Sequence, residues 1–187
     1  SGLYMVALRT RELLFFADPT VNIDPGVEAL TDIVLLTASF VEDLGIKPRI
    51  AMLSFSNFGS ARHPASEKMR ETVLLVRKIR PDLEIDGEMQ ADTAVNTGIL
   101  KSQYPFSVLK KAANVLVFPN LAAANSSYKL LDEIGNAEVI GPVLLGMRHP
   151  VQFLQRGSTV QDVVNLVTLA SSRGASTSSK TQIGEGL

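Results

Sequence analysis

Short apolar runs alternate with longer stretches of helical periodicity along most of the chain, and the two periods place its elements. Leu3 to Leu8 and Leu13 to Ala17 are apolar runs parted by Arg9-Thr10-Arg11-Glu12, which predicts a β-hairpin at the edge of a sheet. Asp24-Pro25 marks a helix start, with Asp24 as the cap and Pro25 in the first turn. Val27, Leu30, Ile33, Val34, Thr37, Ala38 and Val41 then recur at helical spacing until Gly45. Arg49 to Ser54 is one continuous apolar run, as expected of a strand covered on both faces. A helix over 63–79 with Pro64 in its first turn, a short strand over 83–85 and a weaker helix over 91–100 follow. A strand over 115–118, a helix over 121–134 and a strand over 139–143 complete the series.

The order predicts an α/β fold, an open and mostly parallel twisted sheet with helices on both faces, plus the N-terminal hairpin and a C-terminal helix. Residues 1–143 form this lobe. Residues 144–172 leave it as a loop and a helix, opened by capping-box spacing in Ser158-Thr159-Val160-Gln161 and running to about Ala170. From Arg173 the chain is Ser, Thr, Gly and Lys, so 173–187 is expected to be a disordered tail.

Charge narrows the function classes. The chain has 18 basic and 19 acidic residues among 187, and no strong field favours nucleic acid or an anionic membrane. No cysteine is present, which excludes disulfides and thiolate chemistry and suits a cytoplasmic location. The opening Ser1-Gly2-Leu3-Tyr4-Met5 has no signal-peptide pattern and no initiating Met, so the chain reads as part of a larger protein. His63 and His149 lack acidic partners at ligand spacing, so no metal site is expected.

Ser54-Phe55-Ser56-Asn57-Phe58-Gly59-Ser60-Ala61 leaves the carboxyl end of a buried strand towards a helix start, the place where open α/β sheets bind ligands. Its hydroxyls and free amides suit a phosphate or carboxylate, and equally an ordinary turn. Arg156 and Asp162 flank the start of the last helix, where a guanidinium fork suits a phosphate and a nearby carboxylate orients it; a solvated Arg and a helix-start Asp read the same way. Asp86-Gly87-Glu88-Met89-Gln90 looks like an acid pair but reads as a polar turn at a strand end, and Asn120 and Asn125 as caps. No dinucleotide or P-loop fingerprint occurs.

Six segments in order carry a family pattern: Ala17 to Asn22, Ser54 to Ala61, Ile85 to Gln90, Val117 to Leu121, Gly141 to Gly146, and Arg148 to Val151. Together they resemble the phosphate acetyl/butyryltransferase family, whose lobe is phosphotransacetylase-like and related in fold to isocitrate and isopropylmalate dehydrogenases. The chain is most similar to the branch carried at the C-terminus of large bacterial NADP-dependent malic enzymes. Phe58 stands where transferases usually have Lys, Asn120 where they have Asp, and Gln155 where a Ser precedes the Arg.

That resemblance implies no catalytic residue here, and ligand contacts from Ser54, Ser56, Asn57, Gly59, Ser60, Arg156 and Asp162. It implies acetyl-CoA, a related acyl-CoA or an acyl phosphate as ligand, and a homo-oligomer formed through this lobe, with residues 144–172 belonging to a partner lobe. NADP and a divalent metal belong to the remainder of such a protein, which oxidatively decarboxylates malate to pyruvate. An acyltransferase moving an acyl group between acyl phosphate and CoA is the alternative.

Overall fold

A computed structural model describes residues 1–8, 12–149, 151–154 and 157–181, with side chains followed to Ser171. Strands β1 (Gly2–Ala7), β2 (Leu14–Ala17), β3 (Arg49–Leu53), β4 (Glu84–Met89), β5 (Val115–Val117) and β6 (Glu138–Leu144) form one sheet in the order β4-β3-β5-β2-β1-β6. Pairings of β2 with β5, β5 with β3 and β3 with β4 are parallel, whereas β1 runs against both β2 and β6. Five strands therefore share a direction, which bears out the open, mostly parallel sheet.

The hairpin is real but lies inside the sheet, with β6 added to its far side. All of β2 and nearly all of β1 are buried, as a covered interior position requires. The helices are α1 (Val27–Asp43), α2 (Pro64–Ile79), α3 (Ala91–Val95), α4 (Thr97–Gln103), α5 (Leu121–Gly135) and α6 (Val160–Thr181).

Side-chain alternation along the strands sorts the core into two layers. Leu3, Met5, Phe15, Ile50 and Met52 pack under α1, α2 and α6. Tyr4, Val6, Phe16, Ala51 and Leu53 face the opposite way, towards α3, α4 and α5.

Four helix details depart from the sequence reading. Gly26, not Asp24, is the N-cap of α1, and Asp24 instead pairs with Lys68 across 2.6 Å. The helix expected over 91–100 is two, because the Asn96 side chain accepts from the Gly98 and Ile99 amides and restarts the turn. The box at α6 is one residue later than expected, with Thr159 and Asp162 as its members. That helix also runs to Thr181, past Ala170, in a stretch without proline; residues 182–187 of the expected tail lie outside the described residues. Asn120 caps α5 as expected, whereas Asn125 lies within the helix.

Candidate functional site at the carboxyl edge of the sheet

The loop after β3 is anchored by the end of β4. The Ser54 amide donates to Met89 O (2.8 Å), the Phe58 amide to Glu88 O (2.8 Å), and the Gln90 amide to Asn57 Oδ1 (2.8 Å). Glu88 is wholly buried, and its Oε1 accepts from Ser56 Oγ (2.9 Å) and the Gly59 amide (2.6 Å). The other carboxylate oxygen has no hydrogen bond and sits 3.9 Å from Arg70 Nη1.

Four further amides of the loop are also engaged. Ser56 N donates to Ser54 Oγ (3.2 Å), Asn57 N to Ser60 Oγ (2.9 Å), Ser60 N to Asn57 O (3.0 Å) and Ala61 N to Ser56 Oγ (3.0 Å). Of the free amides expected between Ser54 and Ala61, those of Ser54 and of Ser56 through Ala61 are therefore engaged, and the buried Glu88 carboxylate accepts that of Gly59. Ser54 and Asn57 are half-buried, and Gly59 and Ser60 are exposed at the rim.

Asp86 and Glu88 belong to β4, a correction to the strand end expected at Ile85 and the polar turn after it. Asp86 is fixed by Arg77 Nη2 (2.8 Å), Ser107 Oγ (2.7 Å) and the Val108 amide (2.9 Å). Nothing in the apolar pattern of Leu83 to Ile85 carries the strand to Met89, but the alternation of Glu84, Asp86 and Glu88 with Ile85, Gly87 and Met89 does.

Beside this loop lies a cleft of about 890 Å³ between the segment after β2 (Ile23, Asp24), the first turns of α2 (Pro64, Lys68) and the start of α5 (Asn120, Leu121). Its walls come from the carboxyl ends of β2, β3 and β5, which is the usual ligand position in such sheets. Two helix N-termini give it partial positive charge, and the Lys68 ammonium in its wall is paired with Asp24. Sequence reasoning did not single out Ile23, and it named Lys68 only within Lys68-Met69-Arg70 as a mark of the family branch, not as a ligand contact.

Asp162 is elsewhere. After β6 the chain doubles back, with Val143 bridged antiparallel to Gln152, so Thr159 and Asp162 arrive beside Ala137 and Glu138 at the amino end of β6. The strand order also sets β6 four spacings from β3, roughly 19 Å at about 4.8 Å each. Asp162 accepts from the Thr159 amide (2.7 Å) and hydroxyl (2.9 Å). The structure thus groups Ser54 through Ser60 and does not bring Asp162 to them; Gln155 and Arg156 lie outside the described residues.

Among the described residues no group of three or more acidic or histidine side chains is placed to hold a metal, and no helix is long and apolar enough to cross a membrane.

An open α/β lobe with its ligand-side loops gathered at one sheet edge is the class of protein these features define. Residues 1–171 match the family model described as phosphate acetyl/butaryl transferase, and the chain belongs to that family. It is 46% identical over 158 residues to an NADP-dependent malic enzyme of Escherichia coli, covering 83% of this chain and 21% of that one. It is 39% identical over 173 residues to a phosphate acetyltransferase of Bacillus subtilis, covering 92% and 53%. A phosphotransacetylase crystal structure from Streptococcus pyogenes superposes with a TM-score of 0.89 at 36% identity, over 94% of this chain and 54% of that one. The chain therefore spans about half of the Bacillus subtilis relative and about a fifth of the Escherichia coli one.

Proposed function

We propose that the chain is the ligand-sensing and oligomer-forming module of a malic enzyme. Its ligand is acetyl-CoA or a related acyl-CoA or acyl phosphate, and the whole protein oxidises and decarboxylates malate with NADP and a divalent metal in the cytoplasm. Supporting this reading is a large cleft at the carboxyl edge beside a loop that carries no cation of its own. Phe58 stands where the resemblance leads one to expect Lys, and its ring packs on Tyr104 and Phe106 instead of offering a cation. Recognition needs the cleft, whereas turnover of an acyl phosphate needs positive charge where its negative charge develops.

Ser54, Asn57 and Ser60 at the rim, with Lys68 in the cleft, are the proposed contacts on this side. Arg156 is the phosphate contact that the family resemblance proposes, while the Asp162 carboxylate caps α6. Sensing of this kind works only if the ligand binds two states of the whole protein unequally.

Calorimetry of the full-length protein with acetyl-CoA tests the reading, together with malate oxidation measured with and without it. Saturable binding that changes malate oxidation supports it, and absence of binding overturns it. An acyltransferase is the second reading, favoured by the TM-score of 0.89 to a phosphotransacetylase. Formation of acetyl-CoA from acetyl phosphate and CoA at enzymatic rates by full-length protein would establish it instead.

A further inference from the structure

On the outer side of β4 lies a separate cavity of about 320 Å³, walled by Phe58, Leu74, Phe106 and Val108 and lined also by Arg70, Arg77 and the Asp86 that pairs with Arg77. It shares no lining residue with the larger cleft. Phe106 is 67% exposed and Leu74 53% exposed, a large apolar surface for side chains that border a concavity. The two guanidinium groups differ. Arg77 is committed to Ile85 O (2.7 Å) and Asp86 Oδ1 (2.8 Å). Arg70 makes no hydrogen bond among the described residues; it forms an ion pair with the buried Glu88 carboxylate at 3.9 Å, and its side chain is 43% exposed.

We propose that this cavity binds a small carboxylate with an apolar body, an aryl or short acyl carboxylate, and that Arg70 anchors it. Aromatic and aliphatic walls with a charged fork that still has N–H groups to donate are the usual make-up of a small-ligand pocket. The planar fork of Arg70 matches a carboxylate with two parallel hydrogen bonds, and Phe58 and Phe106 receive the apolar end. The site also reaches the loop after β3. Phe58 holds a left-handed backbone (φ 48°) while its ring packs on Tyr104 and Phe106 at 5.1 and 5.0 Å. A ligand against Phe106 therefore bears on the residue whose neighbour, Gly59, is tied to Glu88.

The test is titration of the isotope-labelled chain with 3-phenylpropionate, followed by amide chemical shifts, beside its neutral amide analogue. Saturable shifts centred on Phe58, Gly59, Arg70 and Phe106 are expected for the carboxylate, with weaker binding of the amide. Arg70→Gln should weaken the carboxylate by about tenfold or more, the usual effect of losing hydrogen bonds to a charged group, and leave the amide unchanged. Phe106→Ala should weaken both. Shifts that do not saturate, shifts centred on Lys68 and Asn120, or equal affinity of Arg70→Gln for the carboxylate would overturn the proposal. So would ligand-independent broadening at Leu74, Phe106 and Val108 that grows with protein concentration, because a second copy would then cover the surface.

Discussion

The Glu88 carboxylate accepts a hydrogen bond from the Gly59 amide at 2.6 Å, so the loop after β3 closes around a charge that the chain itself supplies. Removing that charge leaves the buried Ser56 hydroxyl without its acceptor as well. Glu88→Ala is expected to lower stability by about 1–3 kcal/mol for each donor left unsatisfied in a buried place. Glu88→Gln keeps one acceptor oxygen and should cost less. Urea unfolding midpoints measure the difference, and faster exchange of the Gly59 amide in both variants locates it; an unchanged midpoint in the alanine variant would show that the loop holds its shape without Glu88.

Asp18 has a comparable task at the end of β2. It is 5% exposed, and its Oδ1 accepts from the amides of Gly2 (2.9 Å), Thr20 (3.2 Å) and Val21 (3.1 Å) while Oδ2 serves Asn22. The bond to Gly2 ties the first strand to the turn that walls the larger cleft. Asp18→Asn puts an amide donor against one set of these N–H groups, so it is expected to cost about 1–3 kcal/mol. Equal urea midpoints for the variant and the parent chain would contradict this.

Backbone space, not side-chain chemistry, decides at Gly87. Its φ is +137°, and a Cβ there would lie 2.7 Å from Met52 O and 3.0 Å from Met52 Cβ on the neighbouring strand. The obstacle is backbone in the parallel pairing of the edge strand with its neighbour, and it cannot rotate away. Gly87→Ala is therefore expected to be among the most disruptive single changes, separating β3 from β4 and releasing the loop they hold together. Soluble expression with the parent melting temperature would refute it.

Much of this architecture was legible because it rests on local periodicity. The run Arg49 to Leu53 announced a doubly covered strand, and Pro64 announced the start of α2, whose N-cap His63 accepts from the Ala65 amide at 3.1 Å. The hairpin of β1 and β2 was legible too, but not its interior place, since strand order depends on where α1 and α5 send the chain. At the site, the residues from Ser54 to Ser60 were found by their position after a strand. Their engagement by Glu88 was not, because a carboxylate 32 positions from Ser56 leaves no local signal. The placement of Asp162 failed for a similar reason: the return of the chain along β6 is a tertiary event, written in one bridge between Val143 and Gln152.

Acid should reveal the Arg80 cluster on the surface. Hydrogen bonding to Arg80 holds the Asp82 carboxyl below its ordinary value of 3.8, with burial acting weakly the other way. Arg80 Nη2 also reaches Glu42 at 2.9 Å, linking the end of α2 to α1. A depressed carboxylate contributes above its unfolded value and loses that contribution as pH falls through its folded value. Asp82 should therefore titrate below 3.8 in the folded chain and return towards 3.8 in Arg80→Gln. Because the pair is solvent-exposed, the shift should shrink in high salt, and NMR titration at two ionic strengths checks both statements.

The box at the start of α6 gives a local test of how the last helix is held. Thr159 Oγ1 accepts from the Asp162 amide at 3.2 Å, and Asp162 Oδ2 accepts from the Thr159 amide at 2.7 Å, so each side chain satisfies the other residue's backbone. Beyond the box, α6 is pinned by Leu166 and Leu169, which pack into the layer shared with α1 and α2. Val160 and Val167 on its other side are exposed at 82% and 58%, so tertiary burial holds only one face. A helix fixed this way depends on its cap more than a buried one does. Thr159→Ala is expected to cost about 1 kcal/mol of helix stability. The loss should appear as faster hydrogen exchange in the first turns of α6, with the sheet amides of β3 and β5 unchanged. If exchange rose equally in the sheet, α6 would be part of the cooperative core, and the cap would matter to the whole lobe.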